Sequence, residues 1–258
     1  MSDTPLGRFS WHELMTTNVD AARDFYTKIT GWGTSMWDGG EKPYEMWMNG
    51  EMPVGGLMDL PSADVPPCWL AYISTPDRDE TLKKVKDLGG AVHGEMAVPE
   101  VGRFAVIADP QGGVIAVLEP EGDTPGHDGP PELGQFSWHE LATTDADAAW
   151  AFYSEVFGWE AAERMDMGDM GFYQTFGRGA RPLGGIFNGP PEMPAVGWLL
   201  YVRVEDVNAA VESVKAAGGR ILNGPMEVPG GDVIAQCMDP QGVAFAVHAT
   251  ARDEDEEA

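Results

Sequence analysis

Six residues of this chain are written twice. Phe-Ser-Trp-His-Glu-Leu runs from Phe9 to Leu14 and returns from Phe136 to Leu141, 127 residues later. The echo continues in order along the chain. Thr16-Thr17 matches Thr143-Thr144, Phe25-Tyr26 matches Phe152-Tyr153, and Gly31-Trp32 matches Gly158-Trp159. Further on, Gly55-Gly56 matches Gly184-Gly185, Trp69 and Tyr72 match Trp198 and Tyr201, and Asp-Pro-Gln-Gly at Asp109 returns at Asp239. An order-preserving match over most of a chain is a duplication, and this period is far longer than a solenoid repeat. Two globular copies are therefore expected, at 8–120 and 134–250. A Pro/Gly-rich linker at 121–133 joins them, and an acidic tail follows at 251–258.

Each copy reads alike. A short strand over Phe9–Met15 precedes a helix in which Asn18 is the N-cap and Val19, Ala22, Tyr26 and Ile29 form one apolar stripe. Gly31 ends that helix. Short β-like runs follow around Thr34–Trp37, Tyr44–Met48 and Val54–Leu57. The pattern then restarts. Trp69–Ser74 is a strand, Thr81–Leu88 a helix closed by Gly89-Gly90, and Phe104–Ala108 and Val114–Leu118 are strands flanking the Asp-Pro-Gln-Gly turn. Each copy is thus two strand–helix–strand–strand–strand units, an α+β arrangement with helices on one face of a sheet.

The chain carries 42 acidic against 16 basic residues, a formal charge of −26. That repels phosphate backbones and anionic lipid surfaces, so neither nucleic acid nor membrane is an expected partner. The acidity fits either a cationic partner or plain solubility. The N-terminus shows no basic-then-apolar leader, and no apolar run reaches the roughly 20 residues of a membrane span. A cytoplasmic protein is expected. Cys68 and Cys237 do not occupy equivalent repeat positions and read as separate free thiols.

Phe25-Tyr26 followed by Gly31-Trp32, a second helix ending in Gly89-Gly90, and a closing Asp-Pro-Gln-Gly, all repeated in copy two, resemble the vicinal oxygen chelate family. That family spans glyoxalases, bleomycin-resistance proteins and extradiol dioxygenases, and the likeness is to its tandem, two-domain actinobacterial type. The resemblance implies four βαβββ units whose curled mixed sheets form U-shaped clefts with helices outside. It also implies a divalent metal that polarises two neighbouring substrate oxygens.

The family's ligand places, carried over by counting from these motifs, fall on residues that cannot serve. They are Trp11 and Trp138, Ala116 and Ala246, Trp69 or Leu70 with Trp198 or Leu199, and Gly56–Met58 with Gly185–Phe187. His12 and His139 stand one residue off, on the opposite face of their strand. No cofactor is expected. A metal returns only if the strand register differs, in which case His12, Glu119, His139 and His248 are the candidate ligands.

With Trp11 facing the cleft, strand alternation turns Phe9, Glu13 and Met15 the same way, and Phe136, Trp138, Glu140 and Ala142 in copy two. A carboxyl between aromatic walls is disfavoured in its charged form, which suits acid–base work. Glu13 and Glu140 are the candidate catalytic residues. Trp11, Trp138, Tyr72, Tyr201, Tyr44 and Tyr173 are the candidate ligand-binding residues, with Met36, Met46, Met48, Met165, Met167 and Met170 as adaptable walls. Ser10 and Ser137 sit beside histidines but on opposite strand faces, so no nucleophile triad is read. Gly55-Gly56 and Gly184-Gly185 are read as strand bends. The expected partner is a small molecule, bound by a monomeric pseudo-dimer or a homodimer. Three readings stand: a glyoxalase-type lyase or dioxygenase/hydroxylase-like enzyme, a metal-free binder that sequesters its ligand without chemistry, and a structural or interaction protein whose clefts are filled by its own side chains.

Overall fold

The computed structural model describes residues 4–40, 43–168, 171–179, 181–190 and 196–250. The acidic tail and Met170 lie outside them. In the first half the elements are β1 (Phe9–Thr16), α1 (Val19–Thr30), β2 (Gly33–Trp37), β3 (Tyr44–Asn49), β4 (Met52–Asp59), β5 (Cys68–Ser74), α2 (Arg78–Asp87), β6 (Ala91–Val98), β7 (Gly102–Ala108) and β8 (Val114–Pro120). The second half repeats them as β9 (Phe136–Thr143), α3 (Ala146–Phe157), β10 (Glu160–Asp166), β11 (Phe172–Arg178), β12 (Arg181–Asn188), β13 (Gly197–Arg203), α4 (Val207–Ala216), β14 (Arg220–Glu227), β15 (Val233–Met238) and β16 (Ala244–Ala249).

Each half builds its own eight-stranded mixed sheet, in the order β2-β3-β4-β1-β5-β8-β7-β6 and its counterpart β10-β11-β12-β9-β13-β16-β15-β14. The two units of a half meet at the antiparallel β1–β5 pair, and β1 runs parallel to β4 on its other side. The sheets do not close, and the helices occupy one face of each.

Local chemistry explains the punctuation. Asn18 and its counterpart Asp145 accept from the backbone N–H three residues on, capping α1 and α3. Gly31 and Gly158 end the same helices in the left-handed conformation, at φ 74° and 66°. In the Asp-Pro-Gln-Gly turns, Asp109 Oδ1 accepts from the N–H groups of Gln111 and Gly113, and Asp239 Oδ1 from those of Gln241 and Val243.

The helix-covered faces share one hydrophobic core that draws on both halves. Helix α1 packs across the divide: Phe25 and Tyr26 meet Phe245 edge-on, and Tyr26 Oη donates to Asp239 Oδ2 at 3.3 Å. Symmetrically, Tyr153 Oη of α3 reaches Gly113 O at 3.3 Å. Trp32 Nε1 donates to Gly134 O and Trp159 Nε1 to Gly7 O, each half's tryptophan capping the other's first strand. In the linker, Asp128 pairs with both Arg8 and Arg178.

Candidate active site

Strand β1 turns successive side chains to opposite faces, with one interruption. Its register against β5 slips between Phe9 and Trp11, and Ser10 is the extra residue, its Oγ donating to Tyr72 O at 3.1 Å. The same slip recurs between Phe136 and Trp138, where Ser137 Oγ donates to Tyr201 O at 3.3 Å. A bulge of one residue reverses the alternation. Phe9 and Phe136 therefore do not face the cleft, contrary to the strict alternation expected. They turn into the shared core, where Phe9 stacks on His139 at 3.5 Å and Phe136 on His12 at 3.8 Å between ring centroids.

Past the bulge the alternation is regular. His12 and His139 point to the helix-covered side and meet across the pseudo-two-fold axis, Nε2 to Nε2 at 2.9 Å. His139 Nδ1 lies 3.1 Å from Leu183 O. His12 likewise has a backbone partner in Val54, so in a neutral pair whichever ring donates through Nε2 gives up the donation to its own backbone partner. Burial holds both imidazoles below their usual range, His139 down to about 3.

Trp11 and Glu13 point the other way, to the helix-free face. There Glu13 is nearly buried, and each of its oxygens accepts a phenol hydrogen bond: Oε1 from Tyr44 of β3 at 2.6 Å, Oε2 from Tyr72 of β5 at 2.7 Å. Trp11 Nε1 donates in turn to Tyr44 Oη at 3.0 Å. The second half repeats the chain. Trp138 Nε1 donates to Tyr173 Oη at 2.9 Å, Tyr173 donates to Glu140 Oε2 at 3.0 Å, and Tyr201 donates to Glu140 Oε1 at 3.0 Å. Gln236 Nε2 adds a donor to Glu140 Oε1 at 3.3 Å and to Tyr201 Oη at 3.1 Å. Burial pushes both carboxyls above their ordinary range, and the phenol donors pull partly back. Burial and the adjacent carboxylate push all four tyrosines up, so they remain donors.

The paired glycines adjoin a register slip in β4 and in β12, and the second glycine of each pair also serves this cluster. Gly56 lies opposite Glu13 in the β1–β4 register. A Cβ there would meet Tyr44 Oη at 1.6 Å, and one on Gly185 would meet the Tyr173 ring at 2.1 Å. Each glycine is the bare backbone over which a phenol reaches the carboxylate. Met36 is not a cleft wall. It lies opposite Glu45, which binds Arg23 of α1 on the helix-covered side.

The four alternative metal ligands are not brought together. His12 and His139 face each other in the core. Glu119 accepts from the Arg78 backbone N–H and from Arg103 Nη2. His248 bridges Ser137 Oγ at 3.0 Å and Asp232 Oδ2 at 2.9 Å. That Ser–His–Asp chain escapes a sequence reading that tests each serine only against the histidine beside it. Among the described residues no three His, Cys, Asp or Glu side chains form a cluster that could hold a metal.

At the family's ligand places, Leu70 and Ala116 belong to an apolar cluster on the cleft side while Trp69 turns into the core. One carboxylate per cleft, already saturated by phenol donors and flanked by alkyl groups and glycine, does not fit a divalent ion that needs three or four N/O ligands. Burial pushes the Cys68 thiol up to about 11 and the Cys237 thiol to about 12, so both stay protonated at neutral pH.

Known proteins are similar to this chain in sequence and fold. Residues 135–247 match the family described as the Glyoxalase/Bleomycin resistance protein/Dioxygenase superfamily. The chain is 32% identical over 253 residues to "Putative glyoxylase CFP32" of Mycobacterium tuberculosis, covering 93% of this chain and 94% of that protein. It is 30% identical over 264 residues to "Anthracycline biosynthesis protein DauV" of Streptomyces sp. strain C5, covering 93% and 92%. The fold is similar to the Mn(II)-bound glyoxalase of Novosphingobium aromaticivorans, with a TM-score of 0.65 at 16% identity over 95% of this chain and 83% of that one. It is similar also to the 2,2',3-trihydroxybiphenyl 1,2-dioxygenase of Sphingomonas wittichii, with a TM-score of 0.67 at 14% identity over 96% and 91%. The chain belongs to the glyoxalase/bleomycin resistance protein/dioxygenase superfamily.

Proposed function

We propose that this protein binds a small aromatic or carbonyl-bearing organic molecule on the helix-free face of a sheet and moves a proton on it with Glu13 or Glu140. The observation that carries this is the duplicated Trp–Tyr–Glu–Tyr hydrogen-bonded chain. A carboxylate with a raised pKa, fixed by two phenols at the floor of an aromatic-walled face, is poised as a general base. It would take a proton from a carbon beside a carbonyl, with the C–H electrons passing to the carbonyl oxygen. Return of a proton from the carboxyl to that carbon, with the electrons coming back from oxygen, completes an exchange with solvent protons, and its delivery to a different carbon makes the reaction an isomerisation; neither needs an oxidant. The relatives' names support this reading: one is "Putative glyoxylase CFP32", the other "Anthracycline biosynthesis protein DauV".

A second reading is favoured by the completeness of the hydrogen bonding. Every polar atom of the first-half chain already has a partner, as in a site built to hold a ligand rather than transform it. Deuterium incorporation at carbons next to the carbonyl, followed by proton NMR with a panel of aromatic ketones and reactive carbonyls, separates the two. Catalysed exchange that is lost in a Glu13→Gln/Glu140→Gln variant supports proton transfer. Saturable binding without exchange supports sequestration. A panel that neither exchanges nor raises the thermal midpoint contradicts both, because a ligand of the native state must stabilise it.

A further inference from the structure

The two clefts share their Trp–Tyr–Glu–Tyr floor but not their walls. In the first half the wall is a packed cluster. Met15, Leu70, Tyr72, Ala116 and Leu118 are buried together, and Trp11, Met58, Phe104 and Val106 pack on them. Leu60 and Val65, from the connection between β4 and β5, close over the same cluster. Side chains of the protein itself thus cover much of the face that a ligand would need.

The second half keeps Trp138, Leu199, Tyr201 and Ala246 at the places of Trp11, Leu70, Tyr72 and Ala116, and changes other residues of the wall. Ala142 stands where Met15 stands, removing most of a side chain. Phe187 takes the place of Met58, Gln236 that of Val106, and His248 that of Leu118. Leu199, Ala142 and His248 are half-buried where Leu70, Met15 and Leu118 are buried, while Phe187 is half-buried like Met58. Ala142 lies directly beside Phe187 in the β9–β12 register. The shortened side chain therefore stands beside an aromatic ring, which stacks on Tyr173 at 5.8 Å between centroids. Polar groups line other parts of this face, Gln236 next to Glu140 and His248 at the Phe136 end of β9, away from Ala142. Gln236 reaches both Glu140 and Tyr201, and His248 is held in place by Ser137 and Asp232. Glu140 has no ion-pair partner among the described residues, and the chain as a whole carries −26, so an anionic ligand group is disfavoured there.

Building on the proposed function, we infer that the second half alone receives the ligand and that the first-half cleft is filled by its own side chains. The ligand is a flat, uncharged molecule bearing both a hydrogen-bond donor and an acceptor, of the hydroxylated aromatic ketone class. It stacks over Phe187 in the space beside Ala142 and is read by Gln236 and the Glu140 cluster. Loss of apolar packing in one copy against its retention in the other is what division of labour between duplicated sites requires. A purely structural pair would have no cause to make one wall polar and open.

Calorimetric titration of the full chain with 2′-hydroxyacetophenone tests this. One site per chain is expected. Ala142→Met, which restores the first-half residue and fills the space, should weaken binding at least tenfold. Gln236→Val should weaken it too, and since Val106 already occupies the matching place it provides a second variant should Ala142→Met fold poorly. Met58→Ala, in the first-half wall, should leave the affinity unchanged. Two equivalent sites, or an affinity that responds to Met58→Ala and not to the second-half variants, would overturn the inference while leaving the proposed function standing. No saturable binding to the unmodified chain would overturn both.

Discussion

Gly56 and Gly185 show how a single missing side chain shapes the site. A methyl group at Gly56 would fall 1.6 Å from Tyr44 Oη, a distance no rotamer adjustment of that phenol can absorb while it still reaches Glu13. Gly56→Ala should therefore expel Tyr44, leave Glu13 with one phenol donor, and cost about 1–3 kcal/mol of stability in chemical denaturation, the usual range for overpacking a filled interior. An unchanged midpoint would mean that the phenol is not seated there. Residues of this kind were only partly legible in advance. The repetition of Trp11, Glu13, Tyr44 and Tyr72 in copy two marked them as a set, and strand alternation placed Trp11 and Glu13 on one face. The glycines were visible, but their purpose was not, because that depends on a tyrosine arriving from the next strand. Gln236 was missed although it carried a signal: it is a polar residue where the other copy has Val106.

At the level of elements, helices with both caps written in the sequence were readable to the residue, as Asn18 to Gly31 illustrates. Helix α2 begins at Arg78, three residues earlier than its apolar stripe suggests, because its first turn is polar and capped by Asp77. Strand β6 is mostly exposed and offers no alternation to detect. The bulges at Ser10 and Ser137 are where a period-two argument misplaces residues of the candidate site, since nothing local distinguishes a strand that will slip by one residue. The closing turns carry a prediction of their own. Asp239 accepts from two backbone N–H groups and from Tyr26 of the opposite half, so Asp239→Ala leaves buried donors unpaired. The expected loss is about 1–3 kcal/mol, measured by urea denaturation. A neutral result would show that the turn is held by its backbone alone.

Across the whole molecule the duplication becomes a single cooperative body. Residues of both halves form one core, and tryptophans of each half hydrogen-bond to the other. A chain ending at residue 120 should expose that core and aggregate or remain unfolded, as seen by circular dichroism and gel filtration. A soluble, cooperatively melting half would contradict the shared-core account.

The axis between the halves should also titrate. His139 is held near 3 against an ordinary 6.5, and His12 is lowered as well. The unfolded chain therefore binds protons below pH 6.5 that the native pair refuses. Their contribution to stability is complete above pH 6.5 and is lost as pH falls towards about 3. The raised carboxyls of Glu13 and Glu140 act with the opposite sign, gaining native-state protons as pH falls. A His12→Gln/His139→Gln variant, which keeps a hydrogen-bonding pair but cannot titrate, should flatten the fall in urea midpoint between pH 7 and pH 5. An identical slope would place the proton uptake elsewhere.

The carboxyl titration of Glu13 and Glu140, followed by carbon-13 NMR and assigned through the Glu13→Gln and Glu140→Gln variants, bears most directly on the site. Both carboxyls should titrate above the ordinary 4.5, and Tyr72→Phe and Tyr201→Phe, each removing one phenol donor, should raise their own partner's midpoint further. Midpoints at or below 4.5, or indifference to the loss of the phenols, would contradict a buried carboxylate held by two tyrosines and with it the acid–base role proposed for this protein.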